Sequence, residues 1–395
     1  MTRFLVQALV GLAAFFPQAY GSIAFSNGAY QVFAGDSIQE ALELAAKNPT
    51  NKLVKVHAGE YRPQEKRQAL IWFNKKHNGV RLEAEGGVTL TAANPRIADR
   101  AEQGFPAVVN HVVYFGDGIS SNTVLKGFRI TGANSFLTRK QTRVMEPDVT
   151  IPRNLFFFSD GGAIKIFGRS YPTIQNCEIV DNFTSPCGAG ISVQQQGFNT
   201  NEVLIENCIF LRNRAQVTGV AVDLLAGSAA RIINCLFVGN ISNTGEDVVA
   251  KSSGEQPFVN NGALTIFQNS RAEVRNCTFT ANRNGVDDLG GQSRYVNCIF
   301  FDDNLEGGLK GLARYELDVK AGAKEVSGCF INGTVQDSSH VVAAEKNALS
   351  APPPKFNDRF VPESPEYKNA GYRPVPVPSS SAKEPATNPQ AEGLH

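Results

Sequence analysis

The chain has 395 residues, 42% of them hydrophobic and 19% charged, which is enough apolar material for one large core or two smaller ones and excludes a disordered polymer. Its 38 Lys and Arg balance 37 Asp and Glu, so the charge supports neither a nucleic-acid nor an anionic-membrane partner. The expected partner is uncharged or recognised locally. Residues 1–21, MTRFLVQALVGLAAFFPQAYG, carry one basic residue, Arg3, then an apolar run from Phe4 to Phe16, then Pro17 and the spacing Ala19-x-Gly21. This reads as a secretory signal peptide cut near Gly21. The run is too short for a membrane span, and no later segment offers the roughly 18 apolar residues a span requires. An exported, soluble protein is expected.

From residue 161 onward the chain repeats itself. GGAIKIFG (161–168), GAGISVQQQ (188–196), GVAVDLLAG (219–227) and NGALTIFQ (261–268) alternate apolar with other residues, the period of a strand. Each is followed by a second short alternating run (PTIQ, VLIE, ARII, AEVR) and then by Asn-Cys: Asn176, Asn207, Asn234 and Asn276, with a further instance at Asn297 and a variant at Gly328-Cys329. The steps between the five Asn are 31, 27, 42 and 21 residues, the signature of a repeat architecture with loops of variable length on a constant frame. One repeat therefore reads as Gly, a short strand, a turn, a second strand, Asn, and a third strand beginning at Cys. Three strands per turn stacked in parallel make a β-helix. The last stretch, 373–395, is rich in Pro and Ser and is expected to be disordered.

The pattern resembles the right-handed parallel β-helix superfamily of pectate lyases, polygalacturonases and their secreted relatives, over nearly the whole mature chain. Residues 35–63 are similar to that family's N-terminal cap, a short amphipathic helix, a first strand and a Gly-x-Tyr turn. NTVLKGFRITGAN (122–134) resembles an early coil, with Gly127 and Phe128 where later coils have Asn and Cys, and 352–372 resembles a closing segment. The expectation is an all-β solenoid over 22–372, about eight coils and about 40 Å long. In such a helix the Asn sits at the bend between second and third strands, where left-handed backbone is needed, and can pass amide hydrogen bonds up the stack. The Cys points inward as a small apolar residue. Six of the seven Cys occupy that position, Cys187 lies in a loop, and parallel stacked side chains suit a disulfide poorly, so buried free thiols are expected, with Cys187 the most reactive of the seven.

The resemblance places substrate along the sheet of first strands. With Ile164, Ile166, Ile191, Val193, Val220, Val222, Leu264 and Ile266 inward, the alternation sends Lys165, Ser192, Ala221 and Thr265 outward as one ladder and Phe167, Gln194, Asp223 and Phe267 as the next. Phe167, Phe267 and Gln194 suit a sugar-binding strip. Loops entering these strands bring Asp160, Arg212, Arg214, Glu246, Asp247, Lys251, Asp287 and Asp288. Trp72 is expected to pack beneath the cap. The insertions 135–160 and 242–261 are expected to wall the groove.

The family's known chemistries can be tested against these residues. Gly-His-Gly and Arg-x-Pro-x-x-Arg are absent, and no His lies between His111 and His340, which removes a central His as proton shuttle. Elimination from a uronate then needs Lys251 or Lys165 as base, with Arg212 or Arg214 neutralising the substrate carboxylate. Inverting hydrolysis needs two carboxylates, Asp223 with Glu246 or Asp247. Elimination on an acidic polysaccharide is the preferred expectation because central cations are present. The rivals are a glycoside hydrolase and a non-catalytic glycan-binding or adhesive envelope solenoid. An autotransporter passenger is disfavoured because no membrane barrel follows the solenoid. Neither a calcium requirement nor an oligomeric state can be read from these residues.

Overall fold

The computed structural model describes residues 23–97, 100–101, 105–135, 160–184, 187–225, 227–242, 244, 262–305 and 313–375. The expected signal peptide, residues 136–159, 243 and 245–261 of the two insertions, and the Pro- and Ser-rich tail beyond residue 375 lie outside these residues.

The chain is a right-handed parallel β-helix. Nine strands form the sheet of first strands: Arg67–Phe73, Val109–Phe115, Ile164–Phe167, Ile191–Gln194, Val222–Leu224, Leu264–Ile266, Val286–Asp288, Leu317–Asp318 and Val335–Gln336. Each pairs in parallel with the next, so at about 4.8 Å per strand the stack is about 38 Å from first to last. Second and third strands share one larger sheet. The second strands include Val124–Lys126, Thr173–Gln175, Val203–Glu206, Ala229–Ile233, Arg271–Arg275, Arg294–Val296 and Glu325–Ser327.

The repeated phrase sets the bend between second and third strands. Asn176, Asn207, Asn234, Asn276 and Asn297 hold φ between 51° and 54°, the left-handed region that Asn tolerates better than any other residue except Gly. The Cys after each points into the core, where Cys177, Cys208, Cys235, Cys277, Cys298 and Cys329 are buried and free. Two positions further on, Phe210, Phe237, Phe279 and Phe300 stack face to face at centroid distances of 4.8, 4.3 and 5.1 Å. Stacked coils place identical rings one strand spacing apart, so each coil templates the next.

The amide ladder expected at the first Asn of the phrase runs instead through the second. Between the bend residues a single side-chain bond is found among the described residues, from Asn234 Nδ2 to Asn207 Oδ1 at 2.7 Å. After the third strands, Asn182, Asn213, Asn240 and Asn282 are fully or almost fully buried, and each Nδ2 donates to the Oδ1 of the next at 3.1, 3.0 and 2.8 Å, ending on Asp303 Oδ1 at 2.8 Å. Each also donates to a main-chain carbonyl of the coil before it. A buried amide must be saturated in this way, whereas the bend residues are half exposed and can use water.

The N-terminal end is closed by the helix Ile38–Lys47, capped by Ser37 Oγ accepting from Glu40 N and burying Ile38, Ala41, Leu42 and Ala45 on one face. The first strand does not turn at Gly59-Glu60-Tyr61 but runs on through Leu53–Tyr61, with a register shift between His57 and Gly59. At the other end the chain folds back across the third strands: Phe360 and Tyr372 pack on Val180, Leu211, Leu236 and Val238, and Arg373 exchanges main-chain bonds with the Asn234 side chain, both at 2.7 Å.

Candidate functional site

Most first strands carry one phrase: a small or apolar residue, an aliphatic, a variable residue and an apolar one, the last replaced by Asp288 in one strand. Ala163-Ile164-Lys165-Ile166, Gly190-Ile191-Ser192-Val193, Ala221-Val222-Asp223-Leu224, Ala263-Leu264-Thr265-Ile266 and Gly285-Val286-Asp287-Asp288 are five of them. The third residue faces out. Strand register lines these residues up as one ladder: Trp72, Tyr114, Lys165, Ser192, Asp223, Thr265, Asp287, Asp318 and Gln336.

This corrects the sequence alignment by one pair. Ala221, expected on the ladder, packs in the core, and Asp223, expected on the neighbouring one, is the partner of Ser192 and Thr265. The strand enters the core at both Ala221 and Val222, so inward and outward positions do not alternate strictly through the preceding turn. Trp72 is corrected too. Its main chain is tied to the cap helix, Trp72 N donating to Gln39 Oε1 at 3.0 Å and Gln39 Nε2 to Trp72 O at 3.1 Å, but its ring stands half buried on the outer ladder. Asp288 points inward, accepting from Tyr295 Oη at 2.9 Å.

A second file runs beside the first. The turns entering three successive strands are Asp160-Gly161, Cys187-Gly188 and Thr218-Gly219, and each Gly lies four residues before Lys165, Ser192 and Asp223 respectively. A side chain could not replace Gly219: it holds φ at +53° and an added Cβ would stand 2.3 Å from Asp223 Oδ1. These close turns fold Asp160, Cys187 and Thr218 over the ladder, giving a buried array three coils deep. Lys165 Nζ lies 3.9 Å from Asp160 Oδ2 and donates to Ser192 Oγ at 3.2 Å. Cys187 N donates to Asp160 Oδ1 at 3.3 Å, and Thr218 Oγ1 lies 3.4 Å from Cys187 Sγ. Asp160, Lys165, Ser192, Thr218, Asp223 and Thr265 are all 0% exposed.

Acceptors exceed donors. Both carboxyl oxygens of Asp223, Oδ2 of Asp160 and of Asp287, and Oγ1 of Thr265 are buried and hydrogen-bonded to no described residue. Burial, then repulsion from Asp160, pushes the Asp223 carboxyl well above the usual range, with Lys165 opposing. Burial, then Asp318 and Asp288, raises Asp287 to about 8. Burial pushes Asp160 up and the Lys165 ammonium down, each opposed by the other. The Cys187 thiol is raised by burial and by the charges of Asp160 and Asp223.

Of the residues singled out from sequence, Lys165 and Asp223 meet in this array, with Gln194 on the next position of Ile191–Gln194, nearly buried and its Oε1 without a partner among the described residues. Phe167 is buried against Tyr114, and Phe267 is half buried after its strand. Arg212 is exposed and bound through Nε and Nη2 to both oxygens of Asp181 at 2.8 Å, and Arg214 is exposed on Arg214–Ala215. Lys251, Glu246 and Asp247 lie outside the described residues. Sequence reasoning missed the inclusion of Asp160, Cys187 and Thr218 in one cluster; the signal was the constant spacing from the turn glycine to the ladder residue. Among the described residues no group of three or more His, Cys, Asp or Glu side chains could hold a metal ion.

Residues 78–261 match the family model for a right handed beta helix region. Among solved structures the chain is similar to a pectin methylesterase from carrot, with 11% identity, a TM-score of 0.38 and coverage of 80% of this chain and 84% of that one. It is also similar to the catalytic domain of a GH87 alpha-1,3-glucanase in complex with tetrasaccharides, with 12% identity, a TM-score of 0.29 and coverage of 81% and 67%. No curated protein matches.

Proposed function

We propose that this chain, a right-handed parallel β-helix, is an exported carbohydrate-active protein that hydrolyses glycosidic bonds in a polysaccharide laid along its first-strand sheet, with Asp223 and Asp287 as the reacting carboxyls. One observation carries the reading: the outer ladder buries carboxyl oxygens for which the described residues supply no donor. Each such group costs about 1–3 kcal/mol unless something donates to it. Sugar hydroxyls are donors, and since Asp223 is 0% and Asp287 1% exposed, a polysaccharide reaches them only by displacing what covers the ladder.

Asp223 and Asp287 are separated by Thr265, two strand spacings or about 9.6 Å along the sheet. That backbone spacing lies just beyond the about 6.5–9.5 Å that inverting glycosidases keep between their carboxyls, a range in which a water fits between one of them and the sugar, so the two side chains have to lean toward each other. Asp287 keeps its proton up to about pH 8 and suits the general acid. Asp223 is raised as well, by burial and then by Asp160, and Lys165 is the neighbour that opposes this; to serve as the base that activates water it must first give up its proton, which the ammonium favours.

Elimination, which the sequence favoured, is less well served. Arg212 is already paired with Asp181, and a polyuronate would add carboxylates to a groove that holds Asp160, Asp223, Asp287 and Asp318. A neutral polysaccharide fits better. The test is incubation with a panel of neutral and uronate polymers, following new reducing ends and ultraviolet absorbance together. Reducing ends of inverted anomeric configuration, without absorbance and absent from Asp223→Asn and Asp287→Asn, are expected. An unsaturated product would reinstate elimination, and retained binding without any turnover would make the chain a glycan-binding module.

A further inference from the structure

The ladder changes character at its N-terminal end. Tyr114 stands one rung before Lys165 and Trp72 two, Trp72 pairing with Tyr114 and Tyr114 with Lys165. Tyr114 and Phe167 are buried with Ala69, and Trp72 and Phe198 pack against them half exposed. Two aromatic rings thus stand on a buried aromatic base, on the same face as the carboxyl array.

Both rings are held in place. Trp72 is fixed by its two bonds to Gln39, and the Arg67 guanidinium lies 5.5 Å from its ring centroid while paired with Glu65. Phe198 O accepts from Tyr171 Oη at 2.6 Å, and the Arg169 guanidinium lies 4.1 Å from the Phe198 centroid. Arg169 is itself anchored on Asp117, through its main-chain N at 2.7 Å and Nη1 at 3.1 Å. A guanidinium over a ring rigidifies it and leaves N–H donors at its rim. Rigid aromatic surface with donors at the edge is what a pyranose recognises: the C–H face of the sugar lies on the ring and its hydroxyls find the donors.

We infer that Trp72 and Phe198, flanked by Arg67 and Arg169, form a sugar-stacking subsite for a neutral oligosaccharide, remote from the reacting bond and continuous with it along the ladder. The inference rests on the proposed function for the identity of the ligand. From Trp72 to Asp223 the register counts four strand spacings, about 19 Å. A disaccharide bound at Asp223 does not reach Trp72, so the subsite rewards chain length: it is a specificity determinant for long substrates.

Trp72 is the only tryptophan of the chain, so its fluorescence reports on this subsite alone. The experiment titrates the full-length protein and Asp223→Asn with gluco-, manno- and galacto-oligosaccharides, each as the disaccharide and as a long linear oligomer, by tryptophan emission and by calorimetry. The expected result is a change in emission with a long oligomer, none with its disaccharide, the same change in Asp223→Asn, and binding about tenfold weaker in Phe198→Ala. Trp72→Ala should raise KM for the long oligomer about tenfold and leave the disaccharide unaffected, a length dependence that general loss of structure would not give. Calorimetric binding of a long oligomer with unchanged emission would overturn the subsite and leave the catalytic reading standing. Failure of the catalytic carboxyl variants to change turnover, with the emission response intact, would overturn the catalytic reading and leave the subsite.

Discussion

Cys187 shares its turn with two carboxyls rather than with a base. Its thiol is buried, contacts Thr218 Oγ1, and is pushed well above the usual thiol range by burial and by Asp160 and Asp223. The nucleophile in cysteine chemistry is the thiolate, so a thiol raised in this way is slow. The expectation that Cys187 would be the reactive one is therefore reversed by its surroundings. Of the other six, five are raised, and Cys298, raised by burial but brought down by hydrogen bonds with Cys277 and Cys329, is shut inside the coil at 0% exposure, all of them free. Titration of the native protein with an aromatic disulfide reagent near neutral pH is expected to modify none of the seven, and all seven after unfolding in denaturant. One rapid equivalent from the native protein, lost in Cys187→Ser, would show that the array is open to small electrophiles.

At the scale of one coil, the two Asn of the repeated phrase do different work, and substitution separates them. Asn176 supplies left-handed backbone at φ 54°, which Gly supplies as well, so Asn176→Gly is expected to change stability by less than about 1 kcal/mol. Asn240 Nδ2 donates to Asn282 Oδ1 at 2.8 Å and Phe210 O at 3.0 Å, and its Oδ1 accepts from Asn213 N and Nδ2. Asn240→Ala strands several buried groups at about 1–3 kcal/mol each and should lower the melting temperature by many degrees. Thermal denaturation of both variants checks the contrast. The sequence announced the bend because its cause is local: Asn before an inward Cys recurs in the text. The second ladder was hidden because a buried Asn and a solvated one look alike until the coil is closed. The groove failed to align for a related reason. Its register is fixed by which small residue enters the core, Ala221 beside Val222, and strict alternation that takes Val220 as the partner of Ile191 misplaces Asp223 by one pair, whereas the constant count from the turn glycine aligns it. The Trp72 ring was misassigned because its main chain does belong to the cap.

Over the whole molecule, buried carboxyls set how stability follows pH. Asp287 holds its proton to about 8, whereas in the unfolded chain an Asp loses it near about 3.9. Between those values the native protein binds a proton that the unfolded chain has released, so unfolding releases protons and stability falls as pH rises. The contribution is complete below about pH 4 and lost through about pH 8. Asp160, Asp223, Asp303 and Glu316 act in the same direction, each raised chiefly by burial. His77 acts in the opposite one: burial lowers it to about 4, so its share of stability grows as pH rises toward the ordinary His range. The buried Lys165 ammonium, pushed down by burial, acts with His77, and several carboxyls against these two groups decide the sign. Urea midpoints are expected to fall steadily from about pH 5 to about pH 8, and Asp287→Asn, which cannot ionise, should flatten that slope while removing turnover. Since the same proton makes Asp287 the general acid, wild-type activity should decline above about pH 8 in parallel. Stability that rose over this interval would mean the ladder carboxyls are ionised when folded, and the assignment of Asp287 as the general acid would fall with that result.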